Sequence, residues 1–295
     1  MGKYLDPRFD LTFKNVFGRH KDLVTSFLNA LIPFKKGEEI KEVEYLQPEM
    51  LPETPLRKNT IVDVRCKDSN GRQFIVEMQM YWTSEFKQRV LFNASKAYVS
   101  QATKGFDYNK LAPIYSLNLV NDNAFDGRKF YHQFQVAEKD NPDNVIEGLE
   151  LIFIELTKFK PQNKSDKKMM DLWLRFLTEV NESMTEVPQE LMESPEIRKA
   201  LKIVEHGAYT EEQLSAYDRF YDIIATEHTL LSGTFKSGVE KGRAEGRAEG
   251  RAEGELALLT RQVLAKKGKG KSASEIADIL EIDIKLVEQI LNGKK

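Results

Sequence analysis

Asp63, Glu77 and Gln79 lie in the stretch Ile61 to Met80, IVDVRCKDSNGRQFIVEMQM, where a Gly-containing turn separates two short apolar-flanked segments. Two carboxylates held a few ångströms apart can bind a hard divalent cation such as Mg²⁺. Whether these two meet depends on the element that carries them. The segments read as a β-hairpin turning at Lys67-Asp68-Ser69-Asn70-Gly71. Alternation puts Ile61, Asp63 and Arg65 on one face of the first strand and Val62, Val64 and Cys66 on the other. On the second strand Phe74, Val76, Met78 and Met80 share a face, leaving Ile75, Glu77 and Gln79 opposite. A three-residue loop, Ser69-Asn70-Gly71, sets Asp63 directly across from Glu77. A five-residue loop makes them diagonal neighbours, and a two-residue Asn70-Gly71 turn sends them to opposite faces, because a one-residue slip inverts every side chain. An exposed polar sheet face is the alternative reading of the same residues.

The surrounding chain has 295 residues, 41% hydrophobic and 10% aromatic, enough for one large domain or two smaller ones with a sizeable core. Its longest apolar runs, such as Val145 to Leu156, are interrupted by Glu or Gly and do not span a bilayer. The opening MGKYLDPRFD lacks the apolar core of a signal peptide, so a cytoplasmic location is expected. A single cysteine, Cys66, excludes a disulfide framework and falls on the apolar strand face, where it reads as buried and inert. His20, His132, His206 and His228 have no metal-ligand spacing, and no Gly-rich phosphate loop precedes a helix. The net charge of −2 does not advertise a nucleic-acid binder, although residues 1–125 carry 18 Lys/Arg against 15 Asp/Glu.

Asp6-Pro7-Arg8-Phe9-Asp10 reads as a helix start, followed by Leu11, Phe13, Val16 and Phe17 at helical spacing; Leu23, Phe27, Leu28 and Leu31 repeat the pattern. Residues 40–46 alternate as a strand, and the Pro-containing stretch Gln47 to Asn59 reads as a loop. After the hairpin, residues 84–104 look helical, with Phe86, Val90, Phe92, Ala94, Ala97 and Val99 to cover a sheet face and Gly105 as the cap. Pro113 to Val120, Lys129 to Val136 and Leu149 to Leu156 read as strands, giving an α/β core of helices packed on a central sheet.

Four stretches in this order resemble the PD-(D/E)XK nuclease superfamily, and within it the recombination-promoting nuclease/putative transposase family. They are Asp10-x-x-Phe13-Lys14-x-x-Phe17, Ile61-Val62-Asp63-Val64, Ile75-Val76-Glu77-Met78-Gln79, and a helix with Arg89 and Tyr98 that leads into Gly105-Phe106-Asp107-Tyr108 and the Pro113 strand. The resemblance covers roughly residues 5–125, more loosely the helical remainder. It implies a restriction-endonuclease-like fold, a central mixed sheet flanked by helices, and a metal-dependent DNA endonuclease linked to recombination or transposition. Asp63 and Glu77 would hold Mg²⁺ or Mn²⁺, with Asp10 as a third carboxylate or simply an acid favoured at a helix N-terminus. Gln79 stands where the superfamily usually has Lys, as it does in the subfamily resembled here. A neutral amide hydrogen-bonds but supplies no cation, so Lys14, Lys58 or Arg89 is expected to do so. Arg89 and Tyr98 would contact phosphate or support the core. An inactive nuclease-like fold retained for binding or assembly, and a ribonuclease, are the competing readings.

Four regions are expected: a nuclease-like core over 1–160, a helical region over 161–238, a repeat over 239–255, and a small helix-turn-helix-like tail over 256–295. In the helical region Asp166 to Glu182, Pro188 to Val204 and Glu211 to Leu231 read as helices, a layer or bundle supporting the nuclease-like core. Gly242 to Gly254 is GRAEGRAEGRAEG, either a flexible linker or a helix. On a helix its period of four drifts by only about 40° per repeat and gives Gly, Ala, Arg and Glu columns. Two such helices in parallel set Arg243, Arg247 and Arg251 against Glu245, Glu249 and Glu253, which would make a homodimer. The tail reads as three short helices, with a capping box at Ser272 to Glu275 and Asp283 capping the last. Its last helix is hardly basic, so protein contact or simple capping of the chain is expected rather than DNA reading.

Overall fold

The hairpin forms with the three-residue turn. A computed structural model describes residues 3–50, 60–161 and 168–293. In it β4 (Val64–Asp68) pairs antiparallel with β5 (Gln73–Gln79), Val64 facing Val76 and Cys66 facing Phe74. The Asp68 amide donates to the Arg72 carbonyl at 3.0 Å, closing Ser69-Asn70-Gly71. Gly71 supplies the left-handed residue such a turn needs, with φ of +80°. The first strand is shorter than its sequence suggests. The chain breaks at Val62 and Asp63 between β3 (Thr60–Ile61) and β4, and β3 instead pairs with β2 (Glu49–Met50), in a stretch expected to be loop.

Six strands form one mixed sheet in the order β1, β4, β5, β6, β8, β7. β1 (Val43–Tyr45) pairs antiparallel with β4, β6 (Ile114–Val120) lies parallel to both β5 and β8 (Val145–Glu155), and β7 (Tyr131–Ala137) closes the edge antiparallel to β8. The parallel step from β5 to β6 needs a crossover, and α3 (Phe86–Val99) provides it. α3 covers the face carrying Ile75 and Ile114 through Ala94 and Ala97, and covers Val120 and Phe153 through Phe86 and Val90. Phe92 and Val99, expected to share this face, are half to two-thirds exposed on the far side of the helix. The helix ends at Val99, so Gly105, though left-handed, belongs to the turn that follows.

The opposite face carries Val64, Cys66, Phe74 and Val76 against α1 (Asp10–Phe17), α2 (Lys21–Leu31), α4 (Lys168–Glu179) and α6 (Pro195–Ile203). Phe17, Phe27 and Trp173 sit ring to ring at its centre. The stretch expected as one helix from Pro188 to Val204 divides into α5 (Gln189–Glu193) and α6, because Ser194 caps α6 with Pro195 in its first turn. This is the restriction-endonuclease-like α/β architecture.

The chain separates into two compact units, residues 1–225 and 226–295, and the long helix α7 (Glu211–Gly268) contributes to both. In the first unit Tyr217 of α7 packs on Leu5 and Phe9. In the second, the repeat is helical throughout, and α7 supplies what was expected as the tail's separate first helix. Its Val263 joins Ile276, Ala277 and Val287 of α8 (Ala273–Leu280) and α9 (Ile284–Leu291) in a small core. The capping box at Ser272 and Glu275 and the Asp283 cap are both formed.

Candidate active site

Asp63 falls one residue before the paired part of the hairpin, opposite Glu77 by the register that matches Val64 to Val76. The chain bends there, and the Asp63 Oδ2 accepts the Met78 amide at 2.8 Å, so the carboxylate is anchored across the end of β5. Glu77 is only 6% exposed, under α3, which rules out the exposed-face reading. Its Oε1 accepts a hydrogen bond from Asn93 Nδ2 at 2.9 Å. Each carboxylate thus uses one oxygen on an anchor. The other oxygen of each meets a cation at longer range: Lys14 Nζ lies 3.8 Å from Asp63 Oδ1, and Arg89 lies 3.8 Å from Glu77 Oε2.

Burial pushes both carboxyl groups above their ordinary values. At Asp63 the Met78 amide and Lys14 oppose the effect, while the charge of Asp10 adds to it. At Glu77 the Asn93 hydrogen bond opposes it, and the neighbouring Asp63 adds to it. Two acids that resist ionisation and repel one another are a place where added positive charge is favourable.

Gln79 does not project a free amide into this site. Its Oε1 accepts from Arg89 at 2.6 Å, and its Nε2 donates to the Tyr81 carbonyl at 2.9 Å. Asp10 is paired with Lys14 at 2.5 Å, one helical turn along α1, and reaches Asp63 through that lysine. Tyr98 packs in the apolar cluster with Ile75 and Ala94, its ring against Gly148, where an added Cβ would approach to 3.1 Å. Lys58 lies outside the described residues.

Two residues that the motifs did not single out complete the arrangement. Asn93 is 1% exposed, and its Oδ1 has no hydrogen-bond partner. Its position four residues after Arg89 on α3 was the available signal, since both then face one direction. Arg8 donates to both oxygens of Asp6 and, at 2.8 Å, to Asn121 Oδ1. The Asn121 amide in turn donates to the Gln79 carbonyl at 2.9 Å, which ties the chain before α1 to the end of β5.

The donor set suits a divalent metal of the hard, oxygen-preferring kind. The two carboxylates each keep an oxygen free of close partners, and the orphaned Oδ1 of Asn93 is buried on the side chain that holds Glu77. Among the described residues no three His, Cys, Asp or Glu side chains converge as a ready-made cage. A two-carboxylate pair is what Mg²⁺ commonly uses in sites completed by water and substrate phosphate.

A restriction-endonuclease-like core, with Asp63 and Glu77 at the end of its central hairpin, defines the class. A family model described as PD-(D/E)XK nuclease family transposase matches residues 7–224. The chain belongs to that family, and its function is accordingly nuclease- and transposition-related. Nucleases of this kind typically use divalent metals and bind DNA. No curated protein and no solved structure matches the chain significantly. Among the described residues no helix is long and apolar enough to cross a membrane.

Proposed function

We propose that the chain is a DNA endonuclease that hydrolyses phosphodiester bonds with Mg²⁺ or Mn²⁺ held by Asp63 and Glu77. The observation that carries this reading is the pairing of these two acids, each anchored through one oxygen. A divalent cation bound there supplies positive charge to the scissile phosphate and lowers the pKa of water. Asn93 holds the Glu77 carboxylate in place. Arg89 supplies the cation that the usual lysine would, and Gln79 is a positioning residue that aims its guanidinium. Lys14 supplies a second cation, and Asp10, already paired with it, is assigned to holding that lysine rather than to the metal.

Cleavage of matched DNA and RNA strands by the wild type, Gln79→Ala and Arg89→Ala tests the assignment. DNA cleavage lost to a similar degree in both variants fits Gln79 acting through Arg89. Full activity in Arg89→Ala would move the cationic role elsewhere, and preferential RNA cleavage would make the enzyme a ribonuclease.

We also propose that the protein is a homodimer joined through Gly242 to Gly254. In α7 the four repeat glycines have open space where a side chain would begin, and the Arg and Glu columns are exposed. Such a helix gains little alone, since each Gly costs about 1 kcal/mol relative to Ala. A parallel partner offers close approach along the small residues and complementary charge beside them.

A further inference from the structure

One basic concavity lies outside the candidate active site. The end of α1, α6 and the start of α7 enclose a cleft of about 380 Å³, within the range of ligand clefts, about 300–1,000 Å³. Four groups that are or can become cationic line it: Arg19, His20, Lys199 and Lys202. Lys199 is paired with Asp22 at 2.6 Å. Among the described residues, Arg19 and Lys202 have no carboxylate within ion-pair distance. The Tyr209 hydroxyl is buried at the same cleft; Asn15 lies close enough to favour its ionised form, but no group accepts its proton in hydrogen-bond geometry. An unmade hydrogen bond of that kind is costly unless something supplies the partner. His20 is held below its ordinary pKa by burial and by the positive charges of Lys199 and Arg19, against the opposing pull of Asp22. Excess positive charge and an unpaired buried donor call for an anion that accepts several hydrogen bonds.

We propose that this cleft is a binding site for a phosphate group, with Arg19 and Lys202 as its cations and the Tyr209 hydroxyl as a donor. Asn15 on its wall directly follows Lys14 in α1, so the helix that serves the carboxylate pair also borders the cleft. A strand phosphate held here would fix nucleic acid away from the point of cleavage, a source that rests on the nuclease reading. A free phosphate or phosphorylated small molecule is the other source of the same chemistry.

Two titrations without divalent metal test the site and distinguish its sources. In the first, inorganic phosphate is added while the His20 imidazole resonances are followed, in the wild type, in Arg19→Gln/Lys202→Gln and in Tyr209→Phe. Saturable movement in the wild type, weakened about tenfold or more in the double variant, is expected. Arg19 and Lys202 are exposed, so that variant should fold, and Tyr209→Phe removes an unpaired hydroxyl without emptying space. In the second, DNA duplex affinity is measured across a range of salt concentrations. A salt slope reduced in the double variant by about 0.9 per lost phosphate contact identifies a strand phosphate. An unchanged slope with the phosphate response intact identifies a free ligand. No movement of His20 with phosphate, together with unchanged duplex affinity and slope, overturns the proposal. Neither titration requires cleavage, so its outcome is independent of whether Asp63 and Glu77 catalyse hydrolysis.

Discussion

At the scale of single residues, the site is organised by what each carboxylate oxygen already touches. Glu77 is buried, raised in pKa, and held by Asn93. A raised acid contributes stability that is fully present below its unfolded value, near pH 4, and lost as pH rises through its folded value. Without metal, Glu77→Gln should therefore melt close to the wild type in acid and increasingly above it as pH rises, in calorimetry with a chelator. Mg²⁺ at pH 8 should raise the wild-type melting temperature more than that of the variant. A gap that does not widen with pH would mean that Glu77 ionises at no cost. Asn93→Ala should slow cleavage by about 10- to 100-fold, as loss of the support behind a metal ligand does, with little change in substrate affinity. Strand alternation, with its period of two, made Asp63 and Glu77 a candidate pair in the sequence on condition of an odd-residue turn. Asn93 was not legible there, because a polar residue on a sheet-covering helix carries no motif, and its burial follows only once α3 docks. Arg8 was invisible for the same reason: Asn121, its partner, is 113 residues away.

Among elements, the hairpin and the repeat carry the consequences. The three-residue turn sets the parity of the hairpin, and Gly71 sustains it at φ +80°. Gly71→Ala forces an L-residue into the left-handed region, at a cost of about 1–2 kcal/mol, readable as a shift in the urea midpoint. Cleavage should persist at permissive temperature, since the register is kept. The sequence left turns of two, three and five residues open, and the break at Asp63 was not legible in it. Val62 and Asp63 continue the alternation in sequence, whereas the chain leaves β3 for β4 to bring the carboxylate onto the Met78 amide. The repeat left linker and helix open as readings, and its glycines lie inside a 58-residue helix. Gly246→Ala/Gly250→Ala should stabilise that helix by about 1 kcal/mol per site if it stands alone. If its small face is a dimer contact, mass in solution should fall toward the monomer. Unchanged mass with raised helicity would sink the dimer reading.

Across the whole molecule, residues 1–225 form one compact unit in which the later helices complete the core begun by α1 and α2. A helical layer supporting the core was expected, but its particular contacts were hidden in the sequence. The stripe of Met170, Trp173, Phe176 and Leu177 declares a buried helix but not its partners, which are Phe17 and Phe27. One consequence is that the candidate site's cations and acids are placed by elements far apart in sequence, Lys14 by α1, Glu77 by β5 and Arg89 by α3. The central claim is that Asp63 and Glu77 together cleave DNA with a divalent metal. Incubation of supercoiled plasmid with purified wild type and Glu77→Ala, with Mg²⁺ or Mn²⁺ and with chelator, tests it most directly. Metal-dependent nicking or linearisation by the wild type, reduced about a hundredfold or more in Glu77→Ala, is expected. Equal cleavage by the two proteins, or cleavage that persists in chelator, would contradict it.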